Sequence, residues 1–323
     1  YYFYSIVNSS NFDNERINNV TSLAIKKEKM KRVLILLFFI SSLFGQLNNI
    51  LTITPSAITS GIGNVNLPNN NPARNLLGSD GFSLTKVKWL RNITDDMGYN
   101  YLTIDNRSFG LNIMSFKYGN QRQTDETGVT ELIFEPTSTI IEVNWTPGNL
   151  YYTKDSVSKK LENAWIGFEM KYIRHNLHIE SAHGLVFGVG TYFNNVYKEL
   201  DLDVAIKNFG APMKVEIDRA EIPMSLEVAL TYPYREFNLF GQANVFKKYN
   251  TIAFGGTFNY KNVFFQKVGY YMDSEHRLIY PTIGFDILYD KYIFSSSYVP
   301  YMYDMETLPL SRTFKLTITM EMK

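Results

Sequence analysis

The feature that most constrains this chain is a period-two pattern that returns segment after segment. The clearest case closes the sequence: Phe314, Leu316, Ile318, Met320 and Met322 alternate with Thr313, Lys315, Thr317, Thr319 and Glu321. Ile166, Phe168, Met170 and Tyr172 alternate with Gly167, Glu169 and Lys171, and Leu200, Leu202, Val204 and Ile206 with Asp201, Asp203, Ala205 and Lys207. Met224 to Thr231, Ile252 to Tyr260 and Thr282 to Tyr289 repeat the pattern. Successive side chains of a strand point to opposite faces, so each segment has one greasy and one wet side. Each runs for about ten residues, the length of a tilted membrane-crossing strand, against about five or six in soluble sheets. In lipid only a closed barrel satisfies every backbone hydrogen bond without leaving an edge. The expected fold is therefore all-β, an antiparallel transmembrane β-barrel, with a soluble sandwich as the competing reading.

Composition narrows the classes further. The 323 residues carry 32 Lys+Arg against 31 Asp+Glu, a net charge of +1, which excludes a broad basic face for nucleic acid. Absence of Cys excludes disulfide scaffolds, thiolate zinc sites and cysteine nucleophiles. Tyr and Phe number 23 each, a loading that suits interface girdles with an apolar ring and a wet tip. Trp89, Trp145, Trp165, Tyr151, Tyr152, Tyr192, Tyr232, Tyr260, Tyr289 and Tyr298 fall near segment ends and are assigned to such girdles.

Turn signals at Asn194-Asn195, Gly210 to Pro212, Pro233, Lys261-Asn262 and Asp290-Lys291 separate the segments. The polar stretches 119–129 and 154–163 read as outward loops. About fifteen segments can be counted from Phe82. The weakest, 129–135, precedes Pro136 and reads as loop, and since single-chain barrels have even strand numbers the expected count is fourteen.

The N-terminal part divides differently. Met30 opens M-K-R-V-L-I-L-L-F-F-I-S-S-L-F-G-Q: two cations, an apolar core of about eight residues and small residues, the pattern of a secretory signal peptide over 30–45. Residues 1–29 then read as untranslated upstream sequence. Residues 46–80 are small, polar and turn-forming, too poor in apolar surface to fold alone; they are expected to form a plug segment inside the barrel of residues 81–323.

Several positions together resemble one family, the PorV/PorQ outer-membrane barrels of the type IX secretion system, relatives of the FadL transporters. They are Ser60-Gly61-Ile62-Gly63, Asn71-Pro72-Ala73, the strand Phe82 to Leu90, the loop 124–128, Gly167 to Arg174 with Phe187 to Gly190, Ile206 to Gly210, and Ile222-Pro223. The interval between Gly63 and Asn71 is shorter than is usual in the family, its acidic D-D-A segment is absent, and the last strand ends in Met322-Lys323 rather than an aromatic residue. The resemblance implies a bacterial outer-membrane protein, exported through the Sec pathway, that binds or shuttles secreted proteins with other type IX components. A FadL-like channel for a hydrophobic small molecule is the alternative.

Candidate site residues follow from both lines. Gly61, Gly63, Asn71, Pro72 and Ala73 are expected at the plug and its turn into the first strand. Glu169, Lys171, Asp201, Asp203, Lys207, Glu227 and Asp286 sit on wet faces and are expected to line the lumen. His175, His178 and His183 cluster in sequence, but His175 and His178 fall on opposite faces of an extended chain and read as solvated loop residues, not a metal site. No Gly-x-Ser-x-Gly elbow is present, so no enzyme activity and no cofactor are expected. Expected partners are outer-membrane lipid, secreted proteins and a small hydrophobic ligand, with no nucleic acid.

Overall fold

The computed structural model describes residues 50–77, 80–89, 96–124, 130–154, 157–176, 181–215, 218–274, 278–300 and 312–322. The signal-peptide and upstream readings, and His178, lie outside these residues. Leu51–Lys323 form one unit, which holds both the belt that precedes the strands and the strands themselves.

Among the described residues there are eighteen strands: β1 (Gly81–Lys88), β2 (Gly98–Asn106), β3 (Phe109–Lys117), β4 (Gln121–Thr124), β5 (Thr130–Phe134), β6 (Thr137–Lys154), β7 (Val157–Asn176), β8 (Ser181–Tyr197), β9 (Leu200–Gly210), β10 (Met213–Val215), β11 (Asp218–Ala220), β12 (Ser225–Tyr234), β13 (Phe237–Phe246), β14 (Asn250–Tyr260), β15 (Phe264–Asp273), β16 (Leu278–Tyr289), β17 (Tyr292–Tyr298) and β18 (Phe314–Glu321). Fourteen of them close into one antiparallel barrel in the order β1-β18-β17-β16-β15-β14-β13-β12-β9-β8-β7-β6-β3-β2. The remaining four form two small hairpins in the connections, β4 with β5 and β10 with β11. Thr130–Phe134 is therefore paired, but outside the barrel, and the barrel count is fourteen.

Two-residue or similarly tight connections join β2 to β3, β8 to β9, β12 to β13, β14 to β15 and β16 to β17, all at one rim, where Gly81 also meets Glu321. The longer connections gather at the opposite rim. These ends are called the turn rim and the loop rim. Four expectations about connections need correction. Pro233 lies inside β12, paired to Asn238, and the turn follows at Arg235-Glu236. β8 continues past Asn194-Asn195 to Tyr197 through a register shift, with Asn195 at φ 53; Asn tolerates that left-handed backbone and absorbs the irregularity without ending the strand. The stretch 119–129 carries strand β4, and its residues 125–129 lie outside the described set. The described residues of the run 154–163 are strand, not loop: β6 and β7 stay paired as far as Lys154 and Val157, at the turn rim. A polar run reports contact with water, which a projecting hairpin has as much as a loop. Thr146-Pro147-Gly148 marks the register shift where that hairpin leaves the barrel, and Pro is tolerated at such a bulge.

Alternation places side chains as the pattern demands. In β1 burial alternates at every residue, with Ser83, Thr85 and Val87 inside and Phe82, Leu84, Lys86 and Lys88 outside. Phe168, Met170, Leu226, Leu230, Phe254, Ile283, Phe285, Leu316 and Ile318 are all exposed on the exterior. No helix among the described residues is long and apolar enough to cross a membrane; this chain crosses with strands, and an apolar outer wall of tilted strands is what lipid requires.

Candidate functional site

Residues 51–77 form a belt against the inner wall. It contains two one-turn helices, α1 (Ala57–Ser60) and α2 (Leu67–Asn70), and a 3-10 turn over Pro72–Leu77. Its contacts pass from strand to strand in barrel order. At β18 the Ala57 N–H donates to Thr317 Oγ1 at 2.9 Å, and Lys315 Nζ donates to the Thr54 carbonyl at 2.5 Å and Ser60 Oγ at 2.7 Å. At β15 and β16 Lys267 donates to the Ile58 carbonyl at 3.0 Å and to Asp286 at 2.5 Å, while Thr282 accepts from Gly63 N–H at 2.8 Å. At β13 the Gln242 Oε1 accepts from both Asn66 and Leu67 N–H at 2.8 Å. Leu67 then packs on Ala205 of β9 and Ala229 of β12. Burying a Leu side chain in this way is worth about 1.5–3 kcal/mol.

The belt ends at a polar clamp. Asn71 Nδ2 donates to the Thr191 carbonyl and to Asp203, both at 2.8 Å, and Asn71 Oδ1 accepts from Ala73 N–H at 3.0 Å. Arg74 donates twice to Asp203, at 2.8 and 2.7 Å, and its guanidinium lies 4.0 Å from the Tyr192 ring centroid. This planar two-point pairing is specific to Arg. Burial works against the Arg74 charge, but the bond and field of Asp203 outweigh it, so the group is held above its ordinary pKa. Asp201 accepts from Tyr192 OH at 2.9 Å and lies 3.8 Å from Arg74.

Glycines in the wall admit the belt. A Cβ at Gly255 would meet the Ile62 carbonyl oxygen at 2.6 Å, and one at Gly269 would meet Gly63 Cα at 2.6 Å. Gly61 and Gly284 face each other in the same way. Gly63 itself has φ +79, a conformation that favours glycine. Farther round the inner wall, Gly167 lies directly beneath Pro72 and Gly190 beneath Asn71 and Pro72. The motif residues Gly61, Gly63, Asn71, Pro72 and Ala73 thus lie at two glycine-floored grooves. Asn71 to Ala73 sit against β7 and β8, several residues before the chain enters β1.

The lumen wall of β1, β2, β3, β6, β7 and β8 changes by register rows, and the belt reaches the row nearest the loop rim, where Tyr99 OH donates to the Pro55 carbonyl at 3.0 Å. The row Gly81, Asp105, Gly110, Asn144, Glu169, Gly188 and the next, Ser83, Thr103, Asn112, Glu142, Lys171, Val186, carry the polar and charged groups. Lys171 lies 2.9 Å from Glu169 and 3.2 Å from Glu142, and Lys207 lies 3.9 Å from both Glu169 and Glu227. Toward the loop rim the row Thr85, Tyr101, Met114, Ile140, Ile173, Gly184 is largely apolar, and the last row brings Val87, Tyr99 and Phe116 beside Ser138 and His175. Trp89, Tyr99, Phe116 and Tyr118 form a chain of ring contacts at 5.7, 6.0 and 4.7 Å. Met213 of β10 is buried over Gly184. Closely packed apolar and aromatic side chains, with Ile173 at 0% and Phe116 at 3% exposure, thus form a layer on the loop-rim side of the ionic one; this closed layer is called the vestibule.

Of the charged residues expected in the lumen, Glu169, Lys171, Asp203, Lys207 and Glu227 are buried inside the wall, and Asp201 and Asp286 are half-buried there. Glu142, Lys267 and Lys315 belong with them. Their own alternation carries the signal: Lys315 and Lys267 stand on the wet faces of apolar-alternating strands. His175 and His183 do not meet. His175 is fully buried in β7, hydrogen-bonded to Ser138, so it is not a solvated loop residue; His183 is in β8 on the outer face, bonded to Tyr172. The girdle assignment also divides. Trp145, Tyr232, Tyr260 and Tyr289 are exposed on the exterior. Trp165 instead stacks on Tyr192 inside, at 5.4 Å, and Lys315 approaches the Trp89 ring to 5.4 Å. The side chains of Tyr151 and Tyr152 lie outside the described set. A strand end supplies two interfaces, one lipid and one lumen, and end position alone does not choose between them.

No protein-family model matches the chain, and no curated protein matches it. Among solved structures it is similar to the Pseudomonas putida toluene transporter TodX, at 11% identity and TM-score 0.46 over 82% of this chain and 96% of that one. A Pseudomonas aeruginosa FadL homologue is similar at 10% identity and TM-score 0.45, covering 80% and 94%. The KdgM porin follows at 8% identity and TM-score 0.37, covering 75% and 99%. These are likenesses of barrel to barrel.

Proposed function

We propose that the protein is an outer-membrane channel of FadL-like type that takes hydrophobic small molecules into the vestibule at its loop rim. Short turns face the periplasm and long loops the exterior in such barrels, so the vestibule is the outward-facing end. The observation that carries the reading is the change of lining with depth. Met114, Phe116, Ile140, Ile173 and Met213 are buried in the wall or against it near the mouth, while Glu142, Glu169 and Lys171 lie one or two rows deeper. An apolar solute gains about 25 cal/mol per Å² of surface withdrawn from water against such a lining. It gains nothing from the ionic layer below, so the vestibule is where it would be held. The belt, whose Pro55 carbonyl accepts from Tyr99 OH, is assigned the role of plug against it.

The test is binding of pyrene to the purified barrel. Ile173→Glu buries a charge in the vestibule and is expected to weaken binding by about tenfold or more, whereas Lys198→Gln at the turn rim leaves it unchanged. Equal binding by the Ile173 variant contradicts the reading. The secretion role implied by the motif resemblance rests on those motifs alone. It is checked separately by a pulldown with the carboxy-terminal sorting domain of a type IX cargo.

A further inference from the structure

At the loop rim the chain leaves the barrel ladder after β9 and rejoins it at β12. Pro212 and Pro223 flank the excursion, and neither has an N–H to give a neighbouring strand. Within it β10 and β11 pair with each other, Met213 against Ala220, in a sheet separate from the barrel. Ala211, Pro212, Glu221 and Met224 are exposed, yet Met213 is buried. Its side chain lies on the inner face of β8. A Cβ at Gly184 would meet Met213 Cγ and Sδ, each at 2.6 Å, with Ile173 Cβ at 3.9 Å. Only a residue without a side chain leaves that socket open, and an unbranched, flexible thioether is suited to fill it.

The other holds on this segment are slight. Glu221 lies 3.5 Å from Lys247 and 3.9 Å from Lys248, all three exposed, and such pairs contribute little. Asn208 Nδ2 donates to the Pro223 carbonyl at 3.4 Å, a long hydrogen bond. Asn208 reaches inward because β9 shifts register there: Lys207 and Asn208 are both buried, and Asn208 has φ 57. Its Oδ1 accepts from Lys171 Nζ at 3.2 Å, so the base of the excursion is tied to the ionic layer. The apolar seat of Met213 is then the main hold, and with it filled Ile173 has no exposed surface. Emptying that seat into water is costly, whereas exchanging one apolar occupant for another is nearly even.

We infer that β10 is a lid and Met213 its stopper: a hydrophobic solute enters the vestibule by displacing Met213 from the socket over Gly184 and taking its place against Ile173. The inference rests on the channel reading above and supplies the step that opens the closed layer.

Two measurements on the purified barrel test it, and the absence of native cysteine makes both clean. Ile173→Cys places a single thiol under the stopper. Its labelling by N-ethylmaleimide is expected to be slow with Met213 in place and about tenfold faster or more with Met213→Ala, since losing the burial of one such side chain shifts an opening equilibrium by that much. Met213→Leu, which refills the socket, is expected to restore slow labelling. Gly184→Cys with Met213→Cys ties the lid to the wall on oxidation. Pyrene association is then expected to slow by more than about tenfold and to recover on reduction, as for a gated site. Heat-modifiable gel mobility verifies folding, and Met213→Val is read should Met213→Ala fail to fold. Equal labelling with and without the stopper, failure of the cross-link to form, or unchanged pyrene entry past a cross-linked lid overturns the inference. Pyrene binding by no form, the unaltered protein included, defeats the channel reading instead, and the labelling rates still decide whether Met213 closes the layer.

Discussion

The two faces of the barrel wall are written into the same strands at alternating positions, yet they obey different rules. The outer face meets one uniform solvent. Leu226, Phe254, Ile283 and Leu316 need only be apolar, and any of several residues would serve. The inner face meets particular neighbours. Gly167 must be small because Pro72 lies on it, Asp203 must be anionic because Arg74 faces it, and Gln242 must accept because two belt N–H groups point at its oxygen. A face that answers to a medium tolerates exchange, and a face that answers to a partner does not.

The largest effect is expected where a buried charge loses its partner. Asp203→Ala leaves Arg74 half-buried with only Asp201 nearby, and breaking such a pair costs about 3–5 kcal/mol. Urea titration of the protein in detergent measures it, with protease sensitivity of the belt as a second readout. A cost under about 1 kcal/mol, the worth of an exposed pair, would show that the clamp is idle.

Next comes the outer face. Leu230→Arg, at the middle of β12, is expected to cost about 2–4 kcal/mol. Inward substitution is expected to be no milder. Alternation alone predicts that Arg at Gly167, Ala205 or Ala229 disturbs the lumen little. Pro72 and Leu67 occupy those spaces, so overpacking of about 1–3 kcal/mol or more follows. Folding titrations of Leu230→Arg and Ala229→Arg side by side decide the matter; full tolerance at Ala229 would show that nothing is packed there.

Gln242→Ala orphans the Asn66 and Leu67 N–H groups and is expected to cost about 1–3 kcal/mol. The outward neighbour Ala243, changed to Ser, is expected to shift stability by less than about 0.5 kcal/mol. Planar-bilayer conductance sharpens the contrast further. Deleting 46–70 is expected to leave a folded barrel and raise conductance, and unchanged conductance would mean that the belt does not act as a plug.

These differences explain what can be read from sequence. Alternation in Phe314 to Met322 or Ile166 to Tyr172 reports the outer face directly, because lipid imposes a single requirement at every second residue. The strand count follows once the segment 129–135 is set aside. The interior is legible only as wet residues. That Lys267 and Lys315 hold belt carbonyls, or that His175 is buried while His183 is exposed, depends on which strands become neighbours. No local pattern encodes that.

Everything on the inner face depends on residues 51–77 being bound to it, and a cross-link measures that directly. The chain has no cysteine of its own, so an engineered pair reports without interference. Leu67→Cys combined with Ala229→Cys joins two residues in packing contact on the inside. Oxidation in the membrane-embedded protein is expected to give an intramolecular cross-link. Leu67→Cys with the outward Leu230→Cys is expected to give none. Absence of the first cross-link, or appearance of the second, would contradict the placement of the belt.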